Sequence, residues 1–244
     1  MDERGGHELL TKWLVLDGLD TPAVGPKLPE NTIMSATIAL FGATGGSGRA
    51  FLPKALDAGY EVRALVRDPA RLEVAHPALT VLRGDVLNAD DVARTVSGTD
   101  YIVSLIGHRK DSPADLQSRA IQHLIAAARS HGTRKIISLT GGGVPYERDE
   151  PKLVDKVFRG VMGVFFKKVL NDAIRHAAIL RRSGLPYVIV RGPRLTDGPA
   201  RGSCRVGYVG VGTGTAITRT DLADFILTQL ESEQYTNDMP FVSA

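Results

Sequence analysis

Gly42-Ala43-Thr44-Gly45-Gly46-Ser47-Gly48 follows a short apolar run, Thr37-Ile38-Ala39-Leu40-Phe41, and leads into a helix-compatible stretch that ends at Gly59. A second apolar run, Glu61-Val62-Arg63-Ala64-Leu65-Val66, comes next. Strand, glycine loop, helix and strand within one βαβ span form the layout of a dinucleotide site. A pyrophosphate must approach backbone N–H groups at a helix N-terminus, where the helix dipole favours negative charge and a Cβ would obstruct it. With 26 glycines in the chain, the glycine spacing alone is weak, and the flanking strands are what raise it. Pro53 falls inside the expected helix, where loss of a backbone hydrogen bond predicts a kink or a delayed start.

The residues after the second strand bear on the choice of coenzyme. An acidic side chain at that strand end binds the ribose 2′-hydroxyl of NAD, whereas a 2′-phosphate calls for cations. The chain reads Arg67-Asp68-Pro69-Ala70-Arg71, and two arginines a turn apart can clamp a phosphate through charge-assisted bonds. This predicts NADP(H) as the cofactor. The alternative is a solvated loop in which Arg67 pairs with Asp68.

Composition sets the outer limits. The 244 residues are 43% hydrophobic and 23% charged, which suits one globular domain with a sizeable core. The lone Cys204 excludes an internal disulfide and agrees with a reducing, cytoplasmic setting. A net charge of +3 without a long basic run argues against nucleic acid as a partner. Residues 1–35 read as an N-terminal extension or arm, with Pro22, Pro26 and Pro29 marking a linker. The apolar patch Trp13-Leu14-Val15-Leu16 is too short to cross a bilayer, so no stable membrane insertion is expected.

The strand and helix alternation continues beyond Val66. Leu79 to Asp85 reads as a third strand, Asp90 to Val96 as a helix and Tyr101 to Ile106 as a fourth strand. Leu116 to Ser130 reads as an amphipathic helix and Lys135 to Leu139 as a fifth strand, followed by a helix from about Lys167 to Arg182 and a sixth strand at Tyr187 to Val190. Thr220 or Asp221 is the expected cap of a late helix reaching about Leu230. The fold class is therefore α/β: residues 36–244 form a single-domain, Rossmann-like, doubly wound parallel sheet with helices on both faces. Ligands bind at the carboxyl ends of such strands. Here those ends carry Asp85-Val86, Ile106-Gly107-His108-Arg109, Thr140-Gly141-Gly142-Gly143 and Gly192-Pro193-Arg194, and the three glycines after Thr140 promise open space for a nicotinamide and a flat substrate.

The chain resembles the atypical short-chain dehydrogenase/reductases, and within them the biliverdin reductase B/flavin reductase and NmrA-like branch. The resemblance is carried by Phe41 to Gly48, Ala58-Gly59-Tyr60-Glu61-Val62, Leu65 to Leu72, Gly84-Asp85-Val86-Leu87, Ser183-Gly184-Leu185-Pro186-Tyr187 and Leu195-Thr196-Asp197-Gly198-Pro199. It implies that the glycine loop holds pyrophosphate, Arg67 and Arg71 the 2′-phosphate, Asp85 and Val86 the adenine, and that Gly107 to Arg109 lies along the cofactor. The expected cofactor-binding set is Gly42, Thr44, Gly45, Gly46, Ser47, Gly48, Arg67, Arg71, Asp85, Val86, Ile106, Gly107, Arg109, Thr140 and Pro193.

Departures from that group matter as much. Ordinary members use a Tyr-x-x-x-Lys pair, in which the lysine lowers the tyrosine pKa. None of the six tyrosines here has a lysine four residues on, and counting back from Leu185-Pro186-Tyr187 the pair's positions hold Val169 and Ala173. Places that hold a serine and histidines in the biliverdin/flavin branch hold Gly141, Ala173 and Arg194, which puts biliverdin in doubt. A flavin or other conjugated planar acceptor relaxes the need for a dedicated acid, because its π-system spreads the incoming charge. Thr140 and Tyr146 are the catalytic candidates, and no histidine or cysteine spacing suggests a metal. The apolar stretch Val157 to Lys168 reads as a wall or lid of the substrate pocket. The expected activity is an NADPH-dependent reductase acting on a flavin or quinone-like molecule, as a monomer or homodimer. The alternative is a non-catalytic redox sensor of the NmrA kind.

Overall fold

The structure is a computed structural model that describes residues 36–151 and 166–244. The arm expected over 1–35 and the 157–165 part of the expected lid lie outside the described residues.

Five parallel strands and their crossovers appear first: β1 (Thr37–Phe41), α1 (Gly46–Asp57), β2 (Glu61–Val66), a 3-10 turn (Pro69–Arg71), β3 (Leu79–Arg83), α2 (Ala89–Val96), β4 (Tyr101–Ser104), α3 (Leu116–His131) and β5 (Lys135–Gly141). The chain continues with α4 (Lys167–Arg181), β6 (Tyr187–Gly192), β7 (Arg194–Thr196), β8 (Arg205–Gly207), β9 (Ala216–Thr218), α5 (Arg219–Thr228) and β10 (Phe241–Ser243). The main sheet runs β3-β2-β1-β4-β5-β6-β10-β8, with only β8 antiparallel to its neighbour; β7 and β9 form a separate parallel pair. The doubly wound architecture expected from the sequence is present. Strand order reverses between β1 and β4, and the crevice at their carboxyl ends is where such sheets bind ligands.

Period-two alternation buries both faces of the sheet. Ile38 and Leu40 of β1 pack with Phe51 and Leu52 of α1 and with Leu222 and Phe225 of α5. Ala39 and Phe41 turn to the other face, against Val92 of α2, Ile121 and Leu124 of α3 and Leu180 of α4. A strand buried on both sides reads as a continuous apolar run, which is why β1 was legible.

Local signals were modified by packing at three places. Helix α1 runs unbroken from Gly46 through Pro53 to Asp57, without the delayed start that Pro53 suggested. Phe51, Leu52 and Ala55 are completely buried, and burial of that stripe outweighs one lost backbone bond. The late helix is capped by Thr218 rather than by Thr220 or Asp221: its Oγ1 accepts from the Asp221 N–H at 3.0 Å. Asp221 acts from the third helical position and also accepts from the Arg201 N–H at 2.9 Å. Helix α3 has no capping side chain of its own, and a distant one serves it: Asp172 of α4 accepts from the N–H groups of Gln117 at 2.7 Å and Ser118 at 3.1 Å.

A buried ion pair fixes the loop after β5. Arg191 of β6 is fully buried and donates from Nη1 and Nη2 to the two carboxylate oxygens of Asp149, each at 2.8 Å. It also donates to the carbonyls of Met239 at 2.9 Å and Val144 at 3.1 Å. Burial works to raise the Asp149 carboxyl, but the Arg191 guanidinium more than offsets it and holds the group below the ordinary carboxylate range. On the same face of the sheet, Ser138 of β5 meets His176 of α4 at 2.9 Å, both buried. Burial pushes His176 down to about 4, against a smaller opposing pull from Asp172.

Two consequences are measurable. Arg191→Met leaves the Asp149 carboxylate buried and unpaired, and urea denaturation is expected to show a loss of about 3–5 kcal/mol; a loss below about 1 kcal/mol would contradict the role assigned to the pair. For His176 the folded pKa lies below the unfolded value, so the unfolded chain binds the extra proton between the two. Stability is therefore expected to fall as pH drops from about 6.5 towards about 4, by roughly 3 kcal/mol in full, and to level off below that. His176→Gln should flatten this part of the profile relative to the wild type in urea titrations across that range.

Candidate functional site at the carboxyl edge

The glycine loop is built by two close approaches. Gly42 has φ +89°, and a Cβ there would stand 2.6 Å from the carbonyl oxygen of Leu105, at the end of β4. A Cβ on Gly48 would stand 2.2 Å from the Gly42 oxygen, so the first turn of α1 can sit this close to β1 only without a side chain. Gly45 N–H donates to the Gly42 oxygen at 3.0 Å and closes the turn. Gly45 and Gly46 are exposed, and Thr44 and Ser47 half-buried. Gly45 sits at the N-cap of α1 with no side-chain cap bond, and the first turn has no acidic residue. Among the described residues no carboxylate or hydroxyl caps the amide groups of that turn, which fits a dinucleotide pyrophosphate.

The ends of β2 and β3 lie alongside. Arg67 and Arg71 are exposed, and among the described residues neither side chain has an ion-pair partner. Asp68 does not pair with Arg67; its Oδ1 accepts from the Ala70 N–H at 3.2 Å and caps the 3-10 turn that carries Arg71. Asp85 accepts from the Leu87 N–H at 2.9 Å, while its own N–H donates to Asp91 at 2.9 Å. The Val86 carbonyl accepts from His123 Nδ1 at 3.0 Å. Gly84 N–H donates to the Val66 oxygen at 3.0 Å, which draws this turn to the end of β2.

Beyond β4, the Ile106 carbonyl accepts from Gln117 Nε2 at 2.8 Å, and the Arg109 N–H donates to Ser112 Oγ at 2.9 Å. Gly107 is exposed, and a Cβ on it would touch nothing among the described residues, so no contact with them demands glycine there. Thr140 is buried, with its Oγ1 lacking a partner among the described residues. Pro193 links β6 to β7 and is half-buried. The expected open space above Gly141 to Gly143 is only partly present: a Cβ on Gly141 would meet nothing among the described residues, but one on Gly142 would meet the Phe241 ring and one on Gly143 would meet Leu170 at 3.3 Å. Those two glycines make room for core side chains.

Tyr146 sits in a cage. The Arg181 and Arg191 guanidinium carbons lie 5.1 and 5.3 Å from its ring centre, and the Tyr208 ring lies 5.9 Å away. Burial first, and then Asp238, raises its phenol above the ordinary tyrosine value, the reverse of what a lysine partner would do.

Sequence reasoning missed two arrangements here. His108 Nε2 lies 2.9 Å from the Asp172 carboxylate, with the side chains 9% and 0% exposed. Burial works to raise Asp172, but the Ser118 hydroxyl, the Gln117 and Ser118 N–H groups and His108 together hold it ionised below the ordinary range. An imidazole oriented by a fixed carboxylate thus stands one residue beyond Gly107. Arg219 is the second case: it lies against Gly46 and pairs with Asp197 at 2.7 Å. The polar Asp172 and His176, one turn apart on the buried face of α4, were a readable signal for the first; nothing local pointed to the second.

Among the described residues no group of three side chains could hold a metal ion, and no helix is long and apolar enough to cross a membrane. A cavity of about 310 Å³ lined by Ala178, Arg181, Arg182 and Tyr187 opens where β6 begins, at the edge opposite the glycine loop.

Comparison with known proteins places this edge in context. A family model described as NAD(P)H-binding matches residues 42–233. The reductase pytE of Aspergillus terreus is 30% identical over 241 residues, covering 80% of this chain and 91% of its own. Among solved structures, the anaerobillin reductase ChuY of Escherichia coli O157:H7 superposes with a TM-score of 0.71 at 22% identity, over 85% of this chain and 96% of that one. A wide-type short-chain dehydrogenase/reductase from Veillonella parvula, solved with NADP, gives 0.71 at 15% identity over 86% and 95% of the two chains. At those identities the two structures speak for the fold. Taken with the glycine cradle and the strand order, the family match and the Aspergillus relative establish that the chain belongs to the NAD(P)H-binding family and is an NAD(P)H-dependent oxidoreductase.

Proposed function

We propose that the protein is an NADPH-dependent reductase that passes hydride to a planar, conjugated acceptor such as a flavin or quinone-like molecule. The observation that carries the coenzyme choice is the pair Arg67 and Arg71, both exposed and without ion-pair partners among the described residues, at the strand end where an NAD enzyme would place an acid. Asp68, the carboxylate between them in sequence, is committed to the 3-10 turn. In this reading Gly42, Thr44, Gly45, Gly46, Ser47 and Gly48 cradle the pyrophosphate, and Arg67 and Arg71 take the 2′-phosphate. Asp85 and Val86 border the adenine. Ile106, Gly107 and Arg109 follow the coenzyme towards Thr140 and Pro193, with the acceptor beside Gly141.

The bound nicotinamide would supply the hydride. The chain itself offers positioning and little acid. Val169 and Ala173 stand where the tyrosine and lysine of ordinary members would be, Thr140 Oγ1 is sealed from solvent, and Tyr146 is a weaker acid than free tyrosine. A delocalised acceptor tolerates this, since its π-system takes the charge while a proton arrives from water or from His108, whose imidazole Asp172 orients. The Aspergillus reductase relative supports reduction as the reaction class.

Steady-state NADPH oxidation with FMN, FAD and quinones tests the proposal: turnover with at least one is expected. Tight NADPH binding with no turnover on any of them would instead support the sensor reading. Each charge-assisted bond to the 2′-phosphate contributes about 1.5–3 kcal/mol, so Arg67→Ala and Arg71→Ala are each expected to raise the Kd for NADPH by about tenfold or more and to leave NADH nearly unchanged. Equal losses for both coenzymes in calorimetry would remove the clamp.

A further inference from the structure

Arg219, the first residue of α5, lies against Gly46 of the glycine loop. A Cβ built on Gly46 would meet its Nε at 2.6 Å, its Cδ at 3.0 Å and its Cζ at 3.2 Å, so the absence of a side chain at position 46 is what lets the guanidinium lie there. The side chain is steered by Asp197, which accepts from Nη1 at 2.7 Å and is itself 89% exposed. Thr220 Oγ1 donates to the Gly198 carbonyl at 3.0 Å and ties the same turn to α5. The arrangement is electrostatically incomplete. Gly46 is the first residue of α1, whose amino end carries partial positive charge and no side-chain cap, and a full positive charge stands beside it. A guanidinium and an uncapped helix amino end side by side are stabilised together by an anion that reaches both. Asp197 can neutralise the guanidinium from outside, but it caps none of the α1 amides.

We propose that Arg219 is a pyrophosphate-binding residue: its guanidinium grips the coenzyme's pyrophosphate oxygens alongside the α1 amides, with Asp197 as its positioning partner. The assignment rests on the coenzyme reading above and adds a residue from the far end of the chain to the site. It also separates two kinds of arginine by what they recognise. Arg67 and Arg71 face the phosphate that only NADPH has, whereas Arg219 faces the pyrophosphate that NADPH and NADH share.

Calorimetric titration of the full-length protein with NADPH and with NADH distinguishes them. Arg219→Ala is expected to raise the Kd for both coenzymes by the same factor, about tenfold or more, as loss of charge-assisted bonds to a common group requires. Arg219→Lys, which keeps the charge without the planar fork, should recover part of the loss for both. Adenosine 2′-monophosphate, which has no pyrophosphate, should bind Arg219→Ala as well as the wild type and bind Arg67→Ala less well. Wild-type affinity for both coenzymes in Arg219→Ala would overturn the assignment, as would a loss confined to NADPH. If the alanine variant melts well below the wild type, the lysine variant decides: affinities equal to the wild type for NADPH and NADH alongside weakened adenosine 2′-monophosphate binding would count against the pyrophosphate role. No heat from the wild type with either coenzyme would overturn the coenzyme reading itself, and this assignment with it.

Discussion

The contact between Gly48 and the Gly42 carbonyl governs the rest of the structure. Because neither residue carries a Cβ, the amino end of α1 drops onto the carboxyl end of β1, and the Gly42 turn in turn fits beneath Leu105 at the end of β4. That juxtaposition forms the crevice where the strand order reverses. It also leaves the first amides of α1 without a side-chain cap at the place where ligands bind in sheets of this kind. The buried stripe of α1, with Phe51 and Leu52 against β1, holds the helix in that pose despite Pro53.

Around the crevice, charge is distributed by depth. Deep in the fold, Arg191 and Asp149 satisfy one another and the carbonyls around them, so the loop from Val144 to Asp149 is rigidly tied to β6. Equally buried, the ionised Asp172 joins three structural tasks: it caps α3, accepts from Ser118 and orients His108. At the rim stand Arg67, Arg71 and Arg219, exposed or half-buried, where their charge is available to a ligand. Buried charge here serves architecture, and rim charge is what a phosphorylated coenzyme would meet. Tyr146 is half-buried between guanidinium groups, one of them the deep Arg191, and its phenol is raised by partial burial.

Strands β1, β2, β4, β5 and β6 were legible as apolar runs, and α1 as the segment between a glycine loop and Gly59, because each signal is carried by neighbouring residues. The glycine loop, Arg67, Arg71 and the positions after each strand could be named for the same reason. The cap of the late helix was misplaced by two residues because the chain passes from β9 into α5 without a loop, so Thr218 ends one element and opens the next. The open floor expected above Gly141 to Gly143 was misjudged because Phe241 and Leu170, which fill two of the three places, come from other elements.

The sequence by itself determined the βαβ order, the glycine loop at the first strand–helix turn and the lack of any Tyr-x-x-x-Lys spacing, since periodicity, turn chemistry and spacing are properties of adjacent residues. Only the tertiary structure decided that Asp172 caps a helix 55 positions away, that Arg191 neutralises Asp149, and that Arg219 reaches Gly46. These pairings follow from desolvation and packing. A carboxylate or guanidinium buried by the sheet must find its partner wherever the fold brings one, and distance along the chain has no bearing on that choice.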